Sequence, residues 1–449
     1  MPCWGAWFPG DVVTDLVGSP DVAASGDLSA SLAYLEVLAA AVVEASRVRP
    51  GASVAGHGPN TTGETLVRPG GRDCYPAFWV RDFAMSLDAG LFTPAEVVHA
   101  LVLTARLQAD ADWHTASGSF VPRGAIADHI TFDGRPIFFP GTLDDYEGQG
   151  MPWGYLPSLD DHYYFVAMAW HAAIELGRGD LLLREVAGVP LIDRLELAFA
   201  VPSVREETGL VWCAEQDRGV SFGFTDTVVH TGELLFCSLL RYQAAGRMAD
   251  LCVLVGRTPR ARVFQEIQRR IRSHLPTVFG HESGLLRAAT GLSGQPDVWG
   301  SAFAVVVGAV PEPQSEHMSR MLCAMLRDGR IAWQGGVRHV PIGWDHCRLT
   351  MWERVIGDQP MNRYQNGAYW PTPVGWVCHA LAQVDNGAAV ALALAHVANL
   401  RRDDFRVGAA HGAPWECSHN DGGHRQNPVY MASVTCPLGM FRRMGWMGT

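Results

Sequence analysis

Four stretches of the chain set carboxylates among aromatic rings and amides. In the first, Phe78-Trp79-Val80-Arg81-Asp82-Phe83, an arginine and an acid stand between bulky apolar neighbours at a helix start. The second runs from Asp144-Asp145-Tyr146-Glu147 to Trp153-Gly154-Tyr155 and on to Asp160-Asp161. The third joins Trp212-Cys213-Ala214-Glu215 to Ser221-Phe222-Gly223-Phe224-Thr225-Asp226. The fourth pairs Tyr364-Gln365-Asn366-Gly367-Ala368-Tyr369-Trp370 with Pro414-Trp415-Glu416-Cys417-Ser418-His419-Asn420. Such mixtures suit sugars. Indole faces stack on the apolar face of a pyranose, while Asp, Arg, Asn and Gln hydrogen-bond its vicinal hydroxyls. Asp226, enclosed by Phe and Gly, loses solvation, and its pKa rises toward the range of a general acid. Glu416, beside Trp415, is the candidate for a carboxylate that activates water. Each acid also has a plainer role open to it. Arg81 and Asp82 suit an ion pair or a charge facing the helix macrodipole. Asp160 and Asp226 suit helix caps, and Glu416 a loop ion pair.

Other chemistries lack their residues. The chain has no lysine. That excludes a Schiff-base lysine and a Walker A loop. No Gly-x-Gly-x-x-Gly stretch joins a strand to a helix, so no dinucleotide cofactor is expected. His419 and His424 near Asp421 are too weakly spaced to predict a metal, and no metal or other cofactor is expected. Net charge is −11 with no basic run, which argues against nucleic-acid partners and anionic membranes. Ten cysteines form no CxxC pair. Cys237, Cys252, Cys323 and Cys378 read as small buried hydrophobes in a reducing compartment. Residues 1–16 carry acids and no basic region ahead of an apolar run, unlike a secretory signal. Apolar runs such as 302–310 are too short to cross a bilayer. A cytoplasmic location is expected.

The elements that must position these clusters are helical. Apolar periodicity recurs over 28–48, 78–90, 93–107, 159–176, 191–201, 231–255, 258–275, 298–310, 313–326, 373–384, 387–400 and 428–443. Thr93-Pro94 and Thr258-Pro259 each combine a capping hydroxyl with proline at N1. No strand–helix alternation or fixed repeat is present. The pattern predicts an all-α protein: a double ring, with 300–310 and 389–395 as inner helices and 260–272 on an outer one. The long segments 49–77, 109–158, 202–230, 328–372 and 402–427 are functional loops, with a small β-hairpin at Asp133-Gly134. No linker divides the chain, so 1–449 is read as one unit with 1–26 as an extension.

These motifs resemble those of the six-hairpin (α/α)6-barrel glycosidases, a group that includes glucoamylases, trehalases and α-L-rhamnosidases. Trp79-Val80-Arg81-Asp82 is similar to the glucoamylase Trp-x-Arg-Asp segment, whose Arg-Asp pair holds the sugar in the −1 subsite. Trp153-Gly154 to Asp161 is similar to a Trp-Gly-Arg-Pro-x-x-Asp stretch, with Tyr155 where that family has Arg. Gln365 to Trp370 resembles the trehalase Asn-Gly-Trp loop. Trp415-Glu416, with Tyr430 to Leu438 beyond it, resembles the glucoamylase base near the chain end. The likeness runs from about 75 to 440. It implies an (α/α)6 barrel that hydrolyses α-linked sugars with inversion. Asp226 would be the acid, with Glu215 in reserve, and Glu416 the base. It implies substrate contacts from Trp79, Arg81, Asp82, Asp145, Trp153, Asp161, Glu215, Gln365, Asn366, Tyr369, Trp370 and Trp415. The partner is a small-molecule carbohydrate, and no oligomeric state is implied. Two other readings fit the residues: an epimerase, isomerase or lyase using His162, His230, His419 or His424, and a non-catalytic sugar-binding protein.

Overall fold

The computed structural model describes residues 27–115, 118–139, 154–344 and 362–447. Among them lie twelve α-helices: α1 Leu28–Ser46, α2 Val80–Ser86, α3 Pro94–Arg106, α4 Asp161–Trp170, α5 Leu191–Ala200, α6 Leu235–Leu254, α7 Thr258–Phe279, α8 Val298–Val306, α9 Gln314–Arg327, α10 Val374–Ala382, α11 Asn386–Arg402 and α12 Ala432–Arg443. Each falls on one of the twelve periodic segments, with ends moved by a few residues. The even-numbered helices close an inner ring, each packing on the next, and α12 returns to α2. The odd-numbered helices lie outside against their sequence neighbours, and α1 closes the outer ring on α11 and α12.

Burial follows this division. Nine of ten residues in inner helix α4 are buried, against five of 22 in outer helix α7, so α7 shows one amphipathic face to the ring. The segment 298–306 is an inner helix, as its composition predicts. The segment 389–395 is not. It belongs to outer helix α11, which buries only Ala389, Leu392, Ala393, His396, Val397 and Leu400. Its apolar character is largely alanine, and an exposed methyl group costs little. Helix α1 is also long and apolar enough to span a bilayer by length and composition, unlike the shorter runs weighed above. Its apolar face (Leu35, Leu38, Val42) is buried, and the helix packs on α11 and α12.

Local signals explain several boundaries. Thr93 Oγ1 accepts from Glu96 N at 3.2 Å, and a Glu96 carboxylate oxygen accepts from Thr93 N at 2.8 Å, a capping box with Pro94 in the first turn. The second Thr-Pro signal fails as a cap: Thr258 is already helical, and no side chain caps α7. Asp160 and Asp226 cap no helix through their side chains. The predicted hairpin is present. His129–Ile130 pairs with Pro136–Ile137 around Gly134, and Phe78–Trp79 adds a third strand. Short ribbons brace the other loops. The longest joins Trp415–Ser418 to Arg425–Pro428.

Candidate active site

The segments preceding α2, α6, α10 and α12 meet at one end of the inner ring, around a cavity of about 550 Å³. Ligand pockets usually measure roughly 300–1,000 Å³. The approach to α2 supplies Tyr75, Trp79, Arg81 and Asp82, and the hairpin supplies Asp128 and His129. Phe224 and Asp226 enter from the loop before α6, Tyr364 from the loop before α10, and Glu416, Asn427 and Tyr430 from the segments before α12. Helix N-termini lend this end of the ring partial positive charge, a favourable setting for carboxylates.

Glu416 is almost wholly buried, at 1% exposure. Its two oxygens accept from Tyr75 Oη at 2.7 Å and Asn427 Nδ2 at 2.5 Å. The backbone around these donors is unusual. Asp73, Tyr75, Asn362, Tyr364, Asn427 and Val429 all have positive φ. They fall two residues apart, in three pairs that include Tyr75, Tyr364 and Asn427, and these six are most of the nine such non-glycine residues described. Side chains in left-handed backbone cost energy, so their concentration beside one carboxylate marks a site where position outweighs comfort.

Asp226 follows a turn of 3₁₀ helix, Gly223–Thr225. Gln365 fixes this turn. Its Oε1 accepts from Thr227 N at 2.8 Å and Thr227 Oγ1 at 2.7 Å, its Nε2 donates to Gly223 O at 3.1 Å, and it hydrogen-bonds the Asp226 carboxyl. Asp226 Oδ1 is buried without a partner. Burial pushes the Asp226 pKa up to about 7. Burial, with Asp82 and Asp226 nearby, pushes Glu416 up to about 8 against the pull of its two donors. At neutral pH the pair therefore holds about one proton. Those two values alone would put it on Glu416. The hydrogen bonds put it on Asp226: both Glu416 oxygens already face donors, which favour the ionised form, whereas Asp226 Oδ1 has room for a proton.

Asp82 is the third carboxyl on the cavity. Tyr430 Oη donates to it, and burial raises it to about 6. Arg81 is tied down rather than free to clamp a ligand. It makes two bonds to Asp160, at 2.7 and 3.0 Å, and one each to Asp128 at 2.9 Å and Asp161 at 3.0 Å. The loop before α6 passes so close that a Cβ on Gly223 would sit 2.0 Å from the Arg81 guanidinium carbon, which requires glycine there. Burial opposes ionisation of Asp128, but Arg81 and His129 hold it down at about 2. His129 donates from Nδ1 to Asp128 at 2.8 Å and stacks under Trp79 with centroids 4.2 Å apart. One wall is thus a Trp79–His129–Asp128–Arg81 relay.

Of the residues singled out in the sequence, Asp226, Glu416, Trp79, Arg81 and Asp82 line the cavity. Asp145 and Trp153 lie outside the described residues. Asp161 and Gln365 stand one layer behind, on Arg81 and Asp226. Asn366 is buried and not on the wall. Trp370 is core, fully buried edge-on to Phe224, which itself lines the cavity. Tyr369 stacks on His419, and Trp415 turns to a different cavity. Glu215 is exposed and does not line the cavity. None of His162, His230, His419 and His424 lines the cavity. His162 is held in the core by Ile126 N at 3.3 Å and Leu159 O at 3.2 Å. Tyr75, Asp128, His129 and Asn427 were missed. Tyr75 and Asp128 sit in loops and His129 and Asn427 in ribbon strands too short to show a period, so only the aromatic and polar density around them signals a site. Among the described residues no group of three or more His, Cys, Asp or Glu side chains could hold a metal.

No family model and no curated protein matches the chain. Solved structures do match its fold. It is similar to a rhamnosidase from Klebsiella oxytoca with rhamnose bound, with a TM-score of 0.56 and 13% identity over 95% of this chain and 66% of that one. It is similar to the GH63 mannosylglycerate hydrolase from Thermus thermophilus in complex with glucose, with a TM-score of 0.53 and 13% identity over 90% and 99%. The fold is the six-hairpin (α/α)6 toroid. A GH78 family rhamnosidase of Bacillus sp. GL1 shares it, with a TM-score of 0.53 and 11% identity. The chain covers 93% of its own length in that match and 35% of the Bacillus protein, so it spans part of the rhamnosidases and nearly all of the Thermus hydrolase.

Proposed function

We propose that the chain is a glycoside hydrolase that cleaves an α-linked oligosaccharide or glycoside with inversion. The carrying observation is the pair of carboxyls on one cavity, Glu416 buried with both oxygens on donors and Asp226 half-buried with one oxygen enclosed and bare. Asp226 gives its proton to the departing glycosidic oxygen. Glu416 takes one from water attacking the anomeric carbon on the opposite face. Asp82, held by Tyr430, binds hydroxyls of the sugar, and Trp79 offers it a flat face. Arg81 acts at one remove by orienting Asp128. The toroid shared with glycosidases supports this reading by analogy of fold. The eight free cysteines among the described residues, seven of them buried, fit a reducing compartment, and we place the protein in the cytoplasm.

Proton NMR of the first anomer released, on a panel of α- and β-linked gluco-, manno-, galacto- and rhamno-oligosaccharides, tests the proposal. Inverted product supports it. Retained product makes one of the two carboxyls a nucleophile. Conversion of free monosaccharides without hydrolysis replaces it with the isomerase reading. The pH dependence gives a second check. The active form carries one proton on the pair, so kcat/KM falls below about pH 7 and above about pH 8, the pKa values of the two carboxyls. An optimum below pH 6 contradicts this assignment.

A further inference from the structure

The ribbon that carries Glu416 and Asn427 into the first cavity presents Trp415, Ser418 and Arg425 to a second, of about 190 Å³, and no residue lines both. Two half-buried indoles, Trp333 and Trp415, stand on its wall. Trp415 is locked: its Nε1 donates to Asp403 at 2.5 Å, and the same Asp403 oxygen accepts from Arg425 at 3.1 Å. Across the cavity Arg402 donates to Gln334 and Asn399, each at 2.7 Å, which aligns two amides along the rim. The acid here is paired with Arg425 at 3.1 Å, while Arg402 keeps its charge among neutral amides. The wall therefore offers flat apolar faces and fixed hydrogen-bonding groups, with the Arg402 guanidinium at the rim as a charged donor to hydroxyls. That chemistry fits a small, neutral, polyhydroxylated ring.

We propose that this second cavity binds one neutral sugar unit, separately from the catalytic pocket. The inference rests on the proposed function only in that the chain meets sugars in solution. Trp415 and Glu416 are chain neighbours on one strand, so a sugar held against Trp415 bears on the base from behind.

Saturation-transfer NMR titrations of the full chain with D-glucose, D-mannose and L-rhamnose test it. Two classes of site are expected for at least one sugar. Trp333→Ala should weaken one class about tenfold, the loss of an aromatic stacking face. Arg402→Ala, at the protein surface, should weaken the same class, and it carries the test if Trp333→Ala fails to fold. Isotherms unchanged in both variants overturn the proposal, as does the absence of saturable binding of all three sugars. Hydrolysis is assayed independently. Binding in the second class without cleavage of any glycoside leaves this site standing and removes the glycosidase reading. Cleavage with a single class of sites insensitive to both variants does the reverse.

Discussion

Asp226→Asn is expected to lower kcat by roughly 10²–10⁴-fold, the usual worth of a positioned general acid, and to make the protein more stable at alkaline pH. The two effects share a cause. The folded-state pKa of Asp226 is raised to about 7 by burial, so its contribution to stability is full below the unfolded value near 4 and is lost as pH rises through 7. The neutral amide never bears the charge that burial penalises. The melting temperature of the variant should therefore pull ahead of the parent between about pH 4 and pH 7 and stay ahead above it. Glu416→Gln should be as inactive, and it too removes a charge that burial penalises. Its gain should be smaller, because an amide cannot accept from both Tyr75 and Asn427 as the carboxylate does. Rate measurements with thermal melts from pH 4 to 9 check both. Full activity in either variant removes that residue from the mechanism.

Arg81→Met should produce the largest loss of stability in the molecule. The guanidinium is nearly fully buried and is the common partner of Asp128, Asp160 and Asp161. Removing one partner of a buried ion pair costs about 3–5 kcal/mol, because the charges left behind have no compensation. The pH signature is opposite to that of Asp226. Asp128 has a depressed pKa of about 2, so its contribution is present above about pH 4 and is lost as pH falls through 2. The gap between parent and variant should be widest at neutral pH and narrow below pH 4. Denaturant unfolding at pH 7 and pH 3 measures it. Equal stability at pH 7 would mean that the cluster is no net support for the fold.

The helices were legible because each must bury a stripe or a whole surface, and burial imposes a period. All twelve segments became helices, and the division into inner and outer rings followed amphipathicity except at α11, where alanine imitates a buried face. The two carboxyls were legible from their aromatic settings. Much of the rest of the wall was not. Trp370 and Trp415 carry the same residue type as Trp79, yet only Trp79 faces the cavity, because orientation in a loop depends on partners remote in sequence. Arg81 illustrates the same limit. Beside Asp82 in the chain it looked like that residue's partner, but its carboxylates come from the hairpin and from the start of α4. Tyr75 and Asn427, 352 residues apart, meet on one glutamate, and no local pattern announces such a meeting.

The closure of the inner ring, α12 onto α2, also sets when the protein can work during its own synthesis. Tyr75 and Asp82 emerge from the ribosome well over 300 residues before Glu416 and Tyr430, to which they are bonded. Until α12 is released, the nascent chain has five inner helices, an open seam along α2 and α10, and no base in its cavity. Contacts of such long sequence separation form late and slowly. A nascent chain stalled before residue 416 therefore exposes the apolar faces of the seam, which makes it a client for chaperones rather than a slow enzyme.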